Sequence, residues 1–202
     1  PHERGLYLCY NAAIAKESQS KFPKTINCTT IHSFAYRAVV KEYGLTVDDF
    51  TTRDITEKLA YPVKEEILEL IKNFCVSSAT SFEDFCDESG YSQGSIFYIL
   101  GSAYLDKMAQ GKIPCFHNFY LKFYHLLLNA GTDTFGEFDL ILLDEVGDVN
   151  PVTAAIFELL PGKRKVAVGD QFQNIYSFNG TVNYFETAPE SAITFSMDKS
   201  FR

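Results

Sequence analysis

The stretch FDLILLDEVGDVNP, residues 138–151, decides the fold that this sequence predicts. Its apolar run shows almost no alternation with polar residues, which is typical of a parallel strand covered on both faces. The run stops at Asp144 and Glu145, and Asp148 follows shortly after. Open α/β sheets bind their ligands at the carboxyl ends of such strands. The stretch therefore predicts a ligand site next to these carboxylates.

Two interpretations of the carboxylates stay open at this point. Asp144 could hold Mg²⁺, which favours one or two carboxylates together with phosphate oxygens, and Glu145 could orient a water for attack on a phosphoryl group. Alternatively, Asp144 and Asp148 cap the helix that follows, with Pro151 in its first turn.

The first 43 residues alternate between strand and helix patterns. Pro23 and Gly44 each follow a helical pattern, and both residue types end helices. Strand, helix, strand, helix at this spacing predicts a parallel sheet with crossover helices. The predicted elements are strands over 6–10 and 26–30 and helices over 12–22 and 34–43.

Residues 44–115 have a different character, and we interpret them as a helical insertion. Ser81 followed by acidic residues is a plausible capped helix start. Glycines 90, 94, 101 and 111 punctuate the second half of the segment. Helices are predicted here over 47–50, 55–59, 63–74 and 81–88.

The pattern after residue 115 returns to alternating helices and strands. Helices are predicted over 117–128 and 152–160, and strands over 165–168 and 193–195. His117 and His125 lie in the first of these helices without a third ligand at a useful spacing, so we interpret them as core or surface residues.

Composition limits the class of protein. The 202 residues contain five cysteines, an odd number with no C-x-x-C pair, which indicates reduced thiols rather than disulfides or zinc ligands. No apolar run is long enough to span a membrane and no secretory start is visible. We therefore expect a soluble intracellular protein with no membrane partner, cytoplasmic in a bacterium or phage, or nuclear in a eukaryote.

The charge is negative and unevenly distributed. The net charge is −8, and residues 44–115 carry 6 basic and 12 acidic side chains. A protein of this charge binds phosphates poorly over most of its surface. A nucleic-acid groove would have to be local and built mainly from aromatic and neutral polar groups.

Five segments resemble, in order, motifs Ia, Ib, II, III and IV of the superfamily 1 UvrD/Rep-type helicases, with the F-box DNA helicase branch as the best likeness. The segments are LYLCYNAAIAKE, TTIHSFAYRAV, FDLILLDEVGD, VGDQFQNIYSFNG and the final SFR. HNFYLKFYHLL falls where that branch has a comparable helix. The resemblance implies a RecA-like domain of P-loop NTPase type over 1–43 and 116–202, with residues 44–115 as the inserted helical subdomain 1B.

The resemblance also implies roles for single residues, with ATP and Mg²⁺ as cofactors and single-stranded DNA as partner. Asp144 would bind Mg²⁺ and Glu145 would activate water. Stacking of a base on an aromatic side chain contributes about 1–3 kcal/mol without positive charge. Alternatively, Tyr10, Tyr176 and Phe178 merely cover the sheet. The other implied residues are Gln173 and Arg202 at the γ-phosphate, Phe201 on adenine, Asp170 near the nucleotide, and Tyr10, Asn11, Thr30, His32, Tyr176 and Phe178 at DNA.

The sequence departs from the family pattern in several places. The phosphate-binding loop G-x-x-x-x-G-K-[ST] and a second RecA-like domain do not occur in these 202 residues. Gly147 stands where motif II usually has Gln, Asn179 where motif III usually has Arg, and Ala12 where motif Ia usually has Lys.

These departures leave two hypotheses. In the first, the chain is part of an ATP-dependent DNA helicase whose Walker A segment and second domain lie elsewhere, and this segment alone is inactive. In the second, it is a degenerate helicase-like module without ATPase activity that docks on DNA or, through the acidic 44–115 lobe, on a protein partner.

Overall fold

The computed structural model describes residues 3–132, 135–170 and 183–196. Four parallel strands form one sheet in the order β2-β1-β3-β4, with helices packed on its faces. This architecture confirms the predicted α/β fold with a RecA-like parallel sheet. No helix in the described ranges is long and apolar enough to cross a membrane.

The elements follow each other in the alternating order that the sequence predicted at both ends of the chain. They are β1 (Gly5–Cys9), α1 (Ala12–Lys21), β2 (Ile26–Thr30), α2 (Ile31–Ala38), α3 (Val40–Tyr43), α4 (Tyr61–Val76), α5 (Phe82–Glu88), α6 (Ile96–Ala109), α7 (His117–Asn129), β3 (Leu140–Asp144), α8 (Pro151–Leu159), β4 (Lys165–Val168) and α9 (Tyr184–Thr187).

The central strands β1 and β3 bury different residues on their two faces. Leu6 and Leu8 of β1 are fully buried in the main core, together with Ile141 and Leu143 of β3. Tyr7 belongs to a smaller cluster on the opposite face, beneath α1. Strand β3 is thus covered on both faces, but unequally, because its residues Leu140 and Leu142 are only half-buried.

Two of the loops at the carboxyl edge of the sheet are very short because side chains cap the helices that follow. Asn11 Oδ1 accepts a hydrogen bond from Ile14 N at 2.9 Å at the start of α1. Thr30 Oγ1 accepts one from Ser33 N at 3.0 Å at the start of α2. These caps satisfy backbone donors that the first turn of a helix leaves unpaired.

The segment 44–115 leaves and re-enters the rest of the chain at neighbouring points. Cys115 N donates to Thr46 O at 2.8 Å, and Asp48 N donates to Cys115 O at 3.1 Å. Buried residues of α4, among them Ile67 and Ile71, belong to the same hydrophobic cluster as the apolar residues of β1 and β3. The division into two domains stays a prediction.

Several sequence predictions of local structure were wrong. Residues 47–50 and 55–59 are not helical, since Thr51 and Asp54 form a local turn in which Thr51 N donates to Asp54 Oδ2 at 2.7 Å. Gly101 lies inside α6, where it makes room for the ring of Phe82. Helix α2 begins at Ile31 rather than residue 34, because Thr30 caps it there.

The strand predicted over 193–195 is also wrong. Ile193 and Phe195 are 79% and 86% exposed and form no strand within the described residues. An apolar triplet alone does not specify a strand, because a strand also needs a partner to bond with.

Candidate functional site

The carboxyl ends of β1, β2 and β3 border a cavity of about 270 Å³. Its wall combines an exposed aromatic ring, a histidine, two carboxylates and three neutral polar side chains. The lining residues are Cys9, Tyr10, Ile31, His32, Asn118, Leu143, Asp144, Glu145, Val149, Asn150 and Thr153. This is the edge of the sheet at which the carboxylates of the central strand predicted a ligand site.

Asp144 ends β3 and has a donor on each carboxylate oxygen. The hydroxyl of Tyr7 donates to Oδ2, and the backbone N–H of Glu145 donates to Oδ1 at 3.0 Å. The alternative that Asp144 caps the following helix is wrong. The N-cap of α8 is Asn150, whose Oδ1 accepts from Thr153 N at 3.0 Å, with Pro151 at the first position. The side chain of Asp148, the other cap that the sequence suggested, lies outside the described part of the structure.

Glu145 follows in a left-handed conformation, with φ 58° and ψ 42°. Among the described residues it is the one non-glycine residue with positive φ. This conformation costs an L-residue about 1–2 kcal/mol, and such strain concentrates at functional sites. The side chain of Glu145 is exposed at the rim of the cavity, where solvent can reach it.

The loops after β3 and β4 are packed backbone against backbone. A Cβ atom at Gly147 would overlap the carbonyl oxygen of Asp170, and one at Gly169 would lie 2.8 Å from Val146 N. There is consequently no room for the Gln that motif II usually has at position 147. This close contact places the backbone of Asp170 beside the turn that follows Asp144 and Glu145.

The aromatic part of the wall comes from β1 and α2. Tyr10 is 80% exposed, so it does not cover the sheet edge as the alternative interpretation supposed. Nε2 of His32 lies 3.4 Å from Oδ1 of Asn118 on α7. Burial lowers the pKa of His32, so its ring is neutral at pH 7.

Asn11 and Thr30 have structural functions of their own. Both cap helices, and the buried Thr30 hydroxyl also donates to Ser33 Oγ at 2.8 Å. They flank the cavity in sequence but are not among the side chains that line it. The proposed DNA-contacting residues of this part are therefore of two kinds: Tyr10 and His32 face the cavity, and Asn11 and Thr30 support the loops.

Five of the predicted site residues lie outside the described residues, so the structure says nothing of their positions: Gln173, Tyr176, Phe178, Phe201 and Arg202. His117 and His125, which the sequence assigned to surface or core, are exposed and buried respectively. In the described ranges no three His, Cys, Asp or Glu side chains are placed to hold a metal ion together.

Sequence reasoning missed Tyr7 and Asn118. Tyr7 is the polar-tipped residue between Leu6 and Leu8 in an otherwise apolar strand, and this interruption was a usable signal. Asn118 meets His32 only because α7 packs against α2, a contact between residues 86 positions apart. Nothing in the local sequence indicates that contact.

Fold and site together define an α/β protein of the RecA-like class, with its candidate chemistry at the carboxyl edge of the parallel sheet. The sequence profile of the UvrD/REP helicase N-terminal domain matches residues 93–188, a range that includes Asp144, Glu145 and Asp170. The chain is also similar to two curated proteins over nearly its whole length.

F-box DNA helicase 1 of Gallus gallus is 25% identical over 237 aligned residues, which cover 98% of this chain and 22% of the relative. F-box DNA helicase protein 1 of Schizosaccharomyces pombe is 23% identical over 235 residues, covering 100% of this chain and 26% of the relative. The chain spans about a quarter of the length of these relatives. The matches confirm the predicted resemblance: the chain is similar to one segment of the UvrD-like superfamily 1 helicases.

Proposed function

We propose that this chain is part of an ATP-dependent DNA helicase or translocase, in which ATP hydrolysis drives movement along single-stranded DNA. The observation that carries the proposal is the composition of one cavity wall. The carboxylates of Asp144 and Glu145 and the aromatic side chains of Tyr10 and His32 line the same cavity at the carboxyl edge of the sheet. Groups suited to phosphoryl transfer therefore lie beside groups suited to stacking on bases.

The oxygen donors present fit Mg²⁺. Magnesium usually keeps several waters and takes one or two carboxylates plus substrate phosphate oxygens, and the carboxylates of Asp144 and Glu145 lie at the cavity. Asp144 would hold the ion with its oriented carboxylate. Bound ATP would supply the reactive phosphoanhydride bond, and bound Mg²⁺ would neutralise the negative charge that develops on the transferred phosphoryl group.

Glu145 would orient the attacking water and accept its proton. Its exposed side chain lies at the rim of the cavity, in the left-handed turn directly after Asp144. Gln173 and Arg202 at the γ-phosphate, Phe201 on adenine and Asp170 near the nucleotide complete the proposal, in the roles that the family resemblance implies.

Single-stranded DNA would bind mainly through stacking. Tyr10 offers an exposed ring, and His32 offers a neutral ring whose pKa is lowered by burial. Tyr176 and Phe178 would extend this surface, while Asn11 and Thr30 would contribute backbone contacts. Stacking of about 1–3 kcal/mol per base does not require positive charge, which suits a chain with net charge −8.

The test is ATP hydrolysis by the full-length gene product with and without single-stranded DNA. Glu145→Gln should reduce DNA-stimulated hydrolysis by about 100-fold or more, because the amide cannot accept the proton of water. Affinity for ATP should persist. Glu69→Gln is the matched control, since Glu69 is exposed on α4 and pairs with Lys72 within its own helix.

Hydrolysis that is not stimulated by DNA and is unaffected by Glu145→Gln would contradict the enzymatic proposal. That result would favour the second hypothesis, a helicase-like binding module that docks on DNA or, through the acidic residues of 44–115, on a protein partner. A G-x-x-x-x-G-K-[ST] loop encoded upstream of residue 1 would favour the enzyme.

A further inference from the structure

Tyr7 is a buried side chain that reaches the candidate metal ligand from a neighbouring strand. In the parallel pair β1–β3, Tyr7 lies opposite Leu142. Alternate residues of a strand share a face, so Leu142 and Asp144 point to the same side of the sheet as Tyr7. The hydroxyl of Tyr7 donates a hydrogen bond to Oδ2 of Asp144.

The ring of Tyr7 is also held by an aromatic neighbour. It packs against Phe22, which follows α1, with ring centroids 5.2 Å apart. A tyrosine hydroxyl ordinarily loses its proton only near pH 10. Tyr7 is therefore a hydrogen-bond donor to Asp144 rather than an acid or base.

The two donors to Asp144 act on different oxygens. Tyr7 holds Oδ2, and the backbone N–H of Glu145 holds Oδ1 at 3.0 Å. Together they fix the plane of the carboxylate and leave the remaining lone pairs for the cavity. Hydrogen bonds of this kind orient ligating carboxylates in metal sites, and their loss typically weakens metal binding by about 10–100-fold.

We infer that Tyr7 is a positioning residue, which holds the carboxylate of Asp144 in the orientation that binds a divalent cation together with a nucleotide. The inference rests on the proposed function, because it assigns Asp144 to the metal. It adds a residue on β1, outside the strand-end carboxylates, on which the cation affinity depends.

The test is the affinity of the full-length gene product for Mn²⁺ in the presence of ADP, measured by electron paramagnetic resonance. Tyr7→Phe keeps the ring and removes only the hydroxyl. We expect Mn²⁺ to bind about 10-fold more weakly, with ATP hydrolysis restored by saturating Mg²⁺. Tyr91→Phe is the control, since it removes a hydroxyl that also donates to a carboxylate, Glu66 Oε1 at 2.7 Å, within the helical segment.

Unchanged Mn²⁺ affinity in Tyr7→Phe would overturn the inference, and so would a loss of hydrolysis that saturating Mg²⁺ does not restore. Phe22→Leu provides a second variant if Tyr7→Phe does not fold, because it removes the ring that holds Tyr7 in place and leaves the Tyr7 hydroxyl intact. Weaker Mn²⁺ binding by Phe22→Leu supports the inference, and unchanged binding overturns it.

Asp144→Asn separates this inference from the proposed function. If Asp144→Asn keeps both Mn²⁺ affinity and ATP hydrolysis, the proposed function itself fails. If Asp144→Asn loses both while Tyr7→Phe behaves as the wild type, the assignment of Asp144 stands and only the role of Tyr7 fails.

Discussion

Two regions of the molecule take ionisable side chains out of water, and they do so differently. At the carboxyl edge of the sheet, Asp144 and Tyr7 are partly or largely buried, yet Asp144 lines an open cavity. In the middle of α7, Lys122 and His125 are each 2% exposed, and neither lines the cavity at the sheet edge. In the first region a ligand can reach a carboxylate that hydrogen bonds already orient, whereas the side chains of the second region are shielded from solvent.

Lys122 has partners that explain why it lies in the core. Its ammonium donates to the carbonyl oxygens of Ser77 at 3.1 Å and of Ala79, just after the end of α4, and lies 4.2 Å from the ring centroid of Phe74. A cation is favourable near the carboxyl end of a helix. Burial nevertheless lowers the pKa of Lys122 to about 8, so the charge is held there at a cost.

The difference shows which unusual polar groups indicate function. Shifted pKa values occur in both regions, so a shift alone does not identify a site. The sheet edge is distinguished by three features together: a cavity that a ligand can enter, the strained backbone of Glu145, and hydrogen-bond donors that orient the carboxylate of Asp144. Variants should therefore separate the two regions: changes at Lys122 and His125 should lower stability, and changes at the cavity should lower activity.

The largest expected effect on stability is that of Lys122→Ala. The variant leaves a space in the core and removes the ammonium that donates to two backbone carbonyl groups, which together should cost about 3–4 kcal/mol in the free energy of unfolding. Urea denaturation followed by circular dichroism measures it. Lys72→Ala, which loses an exposed pair with Glu69 at 3.8 Å, should cost less than about 0.5 kcal/mol.

ATP hydrolysis per folded molecule should be unchanged in Lys122→Ala. A Lys122→Ala variant that stays as stable as the wild type but hydrolyses ATP more slowly would remove the distinction between the two regions, since Lys122 would then act on the site directly.

The next effect is a loss of stability in acid caused by His125. Its ring nitrogen Nδ1 is buried without a hydrogen-bond partner among the described residues, and burial together with Lys122 lowers its pKa from 6.5 to about 4. Between pH 6.5 and about 4, His125 is therefore protonated in the unfolded chain but stays neutral in the folded chain. Stability should fall as the pH is lowered through this window, by about 3 kcal/mol in total.

His125→Leu should flatten this dependence, because the variant has no group to protonate at that position. The comparison of the two proteins isolates His125, since His32, whose pKa is also lowered, contributes equally to both. Parallel stability curves for the wild type and His125→Leu between pH 4 and 6.5 would contradict the prediction.

The sheet could be predicted from the sequence far better than the details of the site. Strand β2 and helix α7 match the predictions closely because their apolar periodicity and bounding residues are local signals. The position of Asp144 and Glu145 at the end of β3 followed from the same kind of signal. By contrast, the pairing of Tyr7 with Asp144 depends on the register of two strands separated by 137 positions, which no local pattern specifies.

The errors have the same physical origin. Residues 47–50 have a helical composition, but Val47 pairs with Cys115 instead, since the chain returns to that point after the helical segment. The choice between a helix cap and a ligand at Asp144 was undecided in the sequence because Asp serves both purposes. The structure excludes the cap, because Asn150 occupies that position, while the role of Asp144 as a metal ligand stays a prediction. The roles of Asp170, of the DNA-contacting residues and of the acidic 44–115 lobe stay predictions.

The smallest expected change in stability is that of Glu145→Gly, which tests whether the backbone strain at Glu145 is kept because its side chain is needed for hydrolysis. Glycine adopts φ 58° without the cost of about 1–2 kcal/mol that an L-residue bears, but it loses about 0.4–1 kcal/mol through the greater freedom of the unfolded chain. Glu145→Gly should therefore raise the free energy of unfolding by about 0.5 kcal/mol while abolishing DNA-stimulated hydrolysis. Glu145→Gln, which keeps the strained backbone, should lose hydrolysis without gaining stability. If Glu145→Gly instead destabilises the protein, the surrounding fold stabilises the left-handed turn. Strain at Glu145 would then no longer distinguish the cavity edge from the buried region around Lys122 and His125.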